Sequence, residues 1–115
     1  MSLLVVGSVA LDSVETPFGK RNEVLGGSAT YFSISASFFT KVKLVAVVGR
    51  DFSGNYVRVL KSRGIDTEGL EKSKGLTFRW KGKYSQDMNT AHTIYTKLNV
   101  FQDFKPVLPN NYQDC

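Results

Sequence analysis

Apolar residues along this chain fall into three patterns, and each predicts a different element. The first is the unbroken run. Residues 3–6 (LLVV) end at Gly7, and residues 42–48 (VKLVAVV) end at Gly49. A half-exposed strand would alternate, so both runs predict strands buried on both faces of a parallel sheet. The second pattern is helical. In residues 26–39 (GGSATYFSISASFF), Ala29, Phe32, Ala36 and Phe39 recur at spacings of three and four. Tyr31, Ile34 and Phe38 make a second stripe, and no charge interrupts either. Two apolar stripes predict a helix packed over most of its circumference. Strand, helix and strand at this spacing form a right-handed crossover unit, the seed of a doubly wound α/β sheet.

The third pattern is alternation. Phe78, Trp80 and Tyr84 alternate with Thr77, Arg79, Lys81 and Lys83, which predicts a strand with one apolar face. Residues 93–101 alternate as well, with Ile94, Leu98 and Val100 on one side and Tyr95, Lys97 and Asn99 on the other. Residues 85–90 (SQDMNT) join the two as a hairpin loop. Upstream, residues 11–25 predict two short extended arms around a turn at 16–22, outside the main sheet. Between the patterns, Ser53 is a good N-cap for a second helix reaching about Arg63. Tyr56, Val57 and Leu60 supply its buried face, while Arg58, Lys61 and Arg63 face water. Gly64 stands where a left-handed cap belongs, and a third short strand follows around residues 69–71. Residues 102–115 read as a connecting stretch that leads to nothing. The sum is three core strands, two helices and a set of solvated arms, which is half of an α/β sheet with one edge uncovered.

Composition narrows the class. At 115 residues the chain is one domain at most, and its hydrophobic content is that of a soluble protein. One cysteine, Cys115, excludes an internal disulfide framework and fits a reducing cytoplasm. Cysteine and histidine are too few for a zinc site. His92, the single histidine, falls on an alternating strand and reads as an ordinary strand histidine. No apolar run is long enough to span a membrane, and residues 1–12 lack the pattern of a signal peptide. The net charge of +5 favours anionic partners. The phosphate-loop, dinucleotide and nucleophile-elbow signatures are all missing. Gly26 and Gly27 remain as candidate chemistry. They stand where the central helix begins, with amides expected to be unpaired and suited to a negative charge or a close ligand.

Four stretches taken together resemble the ribokinase-like PfkB family of carbohydrate and nucleoside kinases. Residues 5–12 (VVGSVALD) look like its opening strand, followed by the Asp that holds substrate hydroxyls. Residues 26–33 (GGSATYFS) look like its di-glycine and the helix after it. Residues 49–54 (GRDFSG) are similar to the family's Gly-x-Asp-x-x-Gly turn, and residues 64–70 (GIDTEGL) to its Gly-Val/Ile-Asp-Thr element. The resemblance implies an α/β, ribokinase-like fold: a partial doubly wound sheet with a small β lid. The core would hold residues 1–10 and 26–75, and the lid residues 11–25 and 76–101. It implies substrate contacts from Asp12, Gly26, Gly27, Ser28, Thr30 and Tyr31, and lid roles for Arg79 and Trp80.

The chain also departs from the family pattern. Ala10 stands where members often carry Asn, Ser28 where ribose kinases frequently have Lys, and Thr30 or Tyr31 where an Asn is expected. The substrate, sugar or nucleoside, therefore stays open. The family's Gly-x-Gly-Asp run, with its catalytic base and nucleotide pocket, is not in this sequence. No catalytic residue and no metal ligand is thus expected in this chain, and ATP and Mg2+ are implied only for a full-length kinase. Two other readings stand beside this one. Residues 72–84 (KSKGLTFRWKGKY) interleave cations and aromatics as a single-stranded nucleic-acid binder would, although a solvated strand face explains the charges more simply. Alternatively, the aromatics form a lid-to-lid homodimer contact in a non-catalytic fragment.

Overall fold

The computed structural model describes residues 2–113; Cys115, and the compartment inferred from it, lies outside them. In chain order the elements are β1 (Ser2–Val6), β2 (Ala10–Thr16), β3 (Gly19–Gly26), α1 (Ser28–Ser37), β4 (Lys41–Val48), α2 (Gly54–Ser62), β5 (Ile65–Lys72), β6 (Phe78–Tyr84) and β7 (Ala91–Lys97). Short 3-10 turns follow at Asn99–Asp103 and Asn110–Tyr112. The strands form two sheets. One is all parallel with order β1-β4-β5, and the other has order β3-β2-β6-β7. The first is the predicted crossover unit. The second contains the predicted arms, with β2 and β6 parallel at its centre. Among the described residues no helix is long and apolar enough to cross a membrane.

The unbroken run at β4 takes the middle of the parallel sheet, where both faces are covered. Val42, Leu44, Ala46 and Val48 pack with Ala29, Phe52, Leu60 and Ile65 on the helical side. Ser53 caps α2 by accepting the Asn55 amide at 3.1 Å, as its sequence position suggests. Gly64, at φ 77, ends that helix and leads directly into β5. The strand predicted at 69–71 is therefore longer, because β5 starts at Ile65, whose side chain is already core.

β1 departs from the doubly buried strand expected of it. It pairs with β4 on one side only, Val5 is buried, and Leu3 and Val6 are exposed. The central helix is corrected likewise. α1 turns its small residues Ala29, Thr30 and Ser33 to the sheet, while Tyr31 and Phe32 are each 57% exposed and Phe38 and Phe39 stand out beyond its end. A helix lying on one sheet buries one face, and the second apolar stripe would need another layer. The alternation at 93–101 also breaks. β7 ends at Lys97, and Asn99 takes a left-handed φ of 52 that starts a 3-10 turn.

The stretch beyond residue 101 is not idle. Val45 and Val47 point to the sheet face opposite the helices, yet both are buried. Phe104, Val107 and Pro109 lie over that face beside Val45 and Gly69. Tyr112, 1% exposed, anchors the strap. Its hydroxyl donates toward Asp66 (Oδ1 at 2.7 Å, the carbonyl at 3.0 Å) and accepts the Gly69 amide at 3.0 Å. Burial first, and then the bond to Asp66, push the phenol well above its ordinary pKa. Phe101 links the strap to β6 by stacking on Phe78 at 5.3 Å and on Phe104 at 5.9 Å. Tyr112→Ala should cost about 3–5 kcal/mol in urea unfolding, as for other buried aromatics. Tyr112→Phe, which strips only the hydroxyl, should cost about 1–2 kcal/mol. A loss below about 1 kcal/mol for the alanine variant would show that the strap does not hold the sheet.

Candidate substrate cleft

β1 ends and the chain turns through residues 7–9 into β2, passing the start of α1. Ser8 binds that helix start. Its carbonyl accepts the Ala29 amide at 2.9 Å, its hydroxyl accepts the Ser28 amide at 3.0 Å, and the two serine hydroxyls lie 3.0 Å apart. The sequence reading expected these amides to be unpaired and open to an anion, and that is corrected here: Ser8 satisfies two of them. The approach is close enough to require Gly27, at φ 95, because a Cβ there would lie 2.5 Å from the Ser8 carbonyl oxygen and 2.9 Å from the Ala10 nitrogen. At Gly26 a Cβ would occupy the place of the Asp12 carboxylate. The di-glycine thus makes room for a loop on one side and a side chain on the other.

Asp12 is half-buried on β2. Burial raises its pKa above the ordinary 3.8, partly offset by a hydrogen bond from the Gly27 amide. Its register partner across the parallel pairing is Trp80 on β6, and that of Ala10 is Phe78. Partners in register share a face, so two aromatics stand beside the carboxylate. With Ser8, Ser28 and Tyr31 they enclose a cleft of about 240 Å³. Burial, with the Asp12 charge as a second cause, raises the Tyr31 phenol above 10.0. The cleft lies past the carboxyl end of β1, where open α/β sheets hold ligands. A larger hollow of about 650 Å³, lined by Lys41, Gly64 and Asp66, sits at the opposite, amino end of β4 and β5.

Of the residues singled out from sequence, Asp12, Gly27, Ser28, Tyr31 and Trp80 meet in this cleft, with Gly26 directly behind Asp12. Thr30 does not. It is fully buried against the sheet, and its hydroxyl has no hydrogen-bond partner. Arg79 does not either, since alternation along β6 turns it to the face opposite Trp80. There Nη2 meets Asp51 Oδ2 at 2.5 Å, Nε donates to Glu23 Oε1 at 2.8 Å, and Nη1 donates to the Thr77 carbonyl at 3.1 Å.

This clamp joins the two sheets. Asp51 follows β4 and accepts the Thr77 amide at 2.9 Å and hydroxyl at 2.7 Å; the hydroxyl oxygen in turn accepts the Gly49 amide at 2.8 Å. Glu23 sits at a bulge in the β2–β3 pairing with φ 50. Its amide donates to the buried Ser13 hydroxyl at 2.9 Å, and its carbonyl accepts the Tyr56 hydroxyl of α2 at 3.0 Å. The bulge aims Glu23 at Arg79. Burial alone would raise the Asp51 pKa, but the two Thr77 bonds and the Arg79 cation outweigh it and hold the group below 3.8. Sequence reasoning assigned no role to Ser8, Glu23, Asp51 or Thr77. Only Asp51 carried a signal, as the acid of the Gly-x-Asp-x-x-Gly turn.

No protein-family model matches the chain. It is similar to a cytidine kinase of Thermococcus kodakarensis, with 32% identity over 117 residues that cover 100% of this chain and 41% of that protein. The nucleoside kinase of Methanocaldococcus jannaschii, described as an archaeal member of the ribokinase family, superposes with TM-score 0.75 at 22% identity, over 95% of this chain and 42% of that one. A Burkholderia thailandensis nucleoside kinase in complex with inosine gives 0.74 at 17% identity, over 86% and 35%. A Cryptococcus neoformans ribokinase in complex with ADP gives 0.70 at 22% identity, over 84% and 33%. The fold is therefore the ribokinase-like one, and the chain resembles the N-terminal portion of such kinases. It spans about two-fifths of the length of the curated relative it matches.

Arg79→Met should destabilise the fold by about 1–3 kcal/mol, because it leaves Asp51 and Glu23 facing each other without their cation. The sign with pH follows from the depressed Asp51. The clamp contributes fully above the ordinary 3.8 and is lost as pH falls through the lower folded value. Chemical unfolding of both proteins should show a constant gap from about pH 7 to 5 that narrows below about pH 4. A gap that widens in acid would refute this assignment.

Proposed function

We propose that this chain is the N-terminal substrate-binding and lid part of a carbohydrate or nucleoside kinase, in which phosphate passes from ATP to a hydroxyl of the bound sugar ring. One observation carries the reading. A half-buried carboxylate, two serine hydroxyls and an aromatic wall converge beyond the carboxyl end of a parallel sheet, beneath strands that leave that sheet side by side. The similar proteins support the same class, since they are described as cytidine kinase, nucleoside kinases and ribokinase. On this reading residues 1–10 and 26–75 form the core, and residues 11–25 and 76–101 the lid.

Each group then has a physical task. Asp12, ionised, accepts hydrogen bonds from neighbouring hydroxyls and fixes the ring. Gly26 and Gly27 serve the site indirectly, by making room for the Asp12 carboxylate and the Ser8 loop, and Ser28 and Tyr31 add polar contacts. Phe78 and Trp80 exclude water when the lid covers the cleft, and Arg79 sets the lid's angle from behind. Asp12 orients hydroxyls and is not the base of the transfer. Phosphoryl transfer also needs charge stabilisation at the moving group, and the described residues do not fit a nucleotide–metal site. Among them no cluster of three or more His, Cys, Asp or Glu could hold an ion, and Ser8 engages two of the first amides of α1. On this reading ATP and Mg2+ are held by the full-length kinase, and this chain alone binds substrate without catalysing.

The nucleic-acid reading loses its main feature. Arg79 is engaged in the clamp, Lys83 shares Glu15 with Lys20, and Phe78 and Trp80 turn to the cleft. Pairing of two lids would use the outer strand β7, where Ile94 is 50% exposed.

Asp12→Asn in the intact natural polypeptide should weaken binding of D-ribose or a nucleoside at least about tenfold by calorimetry. The same change removes a half-buried charge, so the melting temperature should hold or rise. Wild-type affinity should also fall as pH drops through the raised Asp12 pKa, above 3.8. Unchanged affinity in the variant would remove Asp12 from the site.

A further inference from the structure

The cleft has two unlike halves. Its floor is polar, with the Asp12 carboxylate and the Ser8 and Ser28 hydroxyls, and its lid wall is aromatic. Trp80 is the fixed part of that wall. Gly82, two residues on and on the same face, has no side chain, and a Cβ there would run into three carbons of the indole. The ring therefore lies down along β6 instead of standing away from it. Its one polar atom, Nε1, is directed across to Thr93 Oγ1 on β7 at 3.4 Å. The side chain is half-buried in that pose. Phe78 extends the wall and is backed by Phe101. What the lid presents to the cleft is thus a braced π surface whose indole N–H is already engaged.

Such a wall suits a flat ring better than a polyol. A free monosaccharide can lay only a small C–H face on the wall, whereas a planar heteroaromatic ring covers it with its whole π face and gains a full stack. A ligand with a vicinal diol at one end and a planar heteroaromatic ring at the other matches both halves. The diol reaches Asp12 while the ring lies on the wall. Stacking on a braced aromatic also avoids the entropy of ordering the side chain on binding. Resting on the substrate-binding reading above, we propose that this cleft selects a nucleoside over the corresponding free sugar, with the Trp80 indole as the surface on which the base lies.

The test is calorimetric titration of the intact natural polypeptide with cytidine, inosine and D-ribose, repeated on Trp80→Leu and Trp80→Phe. The wild type should bind at least one nucleoside more than tenfold tighter than ribose. Trp80→Leu should weaken that nucleoside roughly 10- to 100-fold, the range of single base–aromatic stacks, and change ribose affinity less than about twofold. Trp80→Phe, which keeps a π face, should recover most of the loss, and this separates stacking from a folding defect. Equal affinities for ribose and both nucleosides in the wild type would overturn the inference and leave the substrate-site reading standing. So would a Trp80→Leu protein that still prefers the nucleoside. Binding of none of the three would overturn the substrate-site reading, and this inference with it.

Discussion

Everything at the cleft depends on the parallel pairing of β2 with β6. β1 and β5 flank β4 in the core sheet, and β4 stops at Gly49 while the chain from each flanking strand runs on. Past the end of β4 the two continuations meet and pair in register, Asp12 beside Trp80. A one-residue slip would turn one member of each pair to the opposite face and leave a carboxylate without its aromatic wall. The pairing is protected from slipping at its root. Thr77, just before β6, is fully buried and bonded to both Gly49 and Asp51, and Val9, just before β2, is core. β2 and β6 therefore both start from buried points on the parallel sheet.

The two carboxylates near this junction carry opposite pKa shifts for opposite reasons. Asp51 has a cation and two Thr77 donors, and its charge holds the two sheets together. Asp12 has burial without a cation, so its charge is held at some cost to the fold. A structural acid gains its partners on folding, and on the proposed reading Asp12 instead keeps acceptor capacity for a ligand. Glu23 belongs with the first kind. Its left-handed φ is held by the bond its amide donates to Ser13 and the one its carbonyl accepts from Tyr56, and the bulge it makes delivers a second anion to Arg79.

Opposite the helices, the sheet is crossed by an irregular strap that leaves hollows of about 560 and 330 Å³ beneath it. Half-buried Phe104 and Pro109 lie over the sheet with no periodicity, while Val107 is 71% exposed, and Tyr112 supplies the anchor. Their contribution comes from where the chain is led after β7, through the Phe78–Phe101–Phe104 stack. That stack couples the aromatic wall of the cleft to the strap, so β6 is supported from that side as well as by the clamp.

Local pattern determined a good deal. The runs at β1 and β4, the cap at Ser53, the end of α2 at Gly64 and the alternation of β6 each express an interaction within a few residues of itself. So did the four short motifs whose resemblance to ribokinase-like kinases the fold bears out. Alternation even implied that Arg79 and Trp80 face opposite ways, although both were first read as lid residues over the substrate. Tertiary structure decided what each face meets. Apolar periodicity marks a face that can be buried without naming the layer that buries it, so α1 was read as enclosed while its aromatics stand exposed. Thr30 looked available beside the glycines, but the turn of the helix points it into the sheet. The strap at 104–112, the Glu23 bulge and the capping of α1 by Ser8 all join residues many positions apart, and no periodicity within either partner records such a contact.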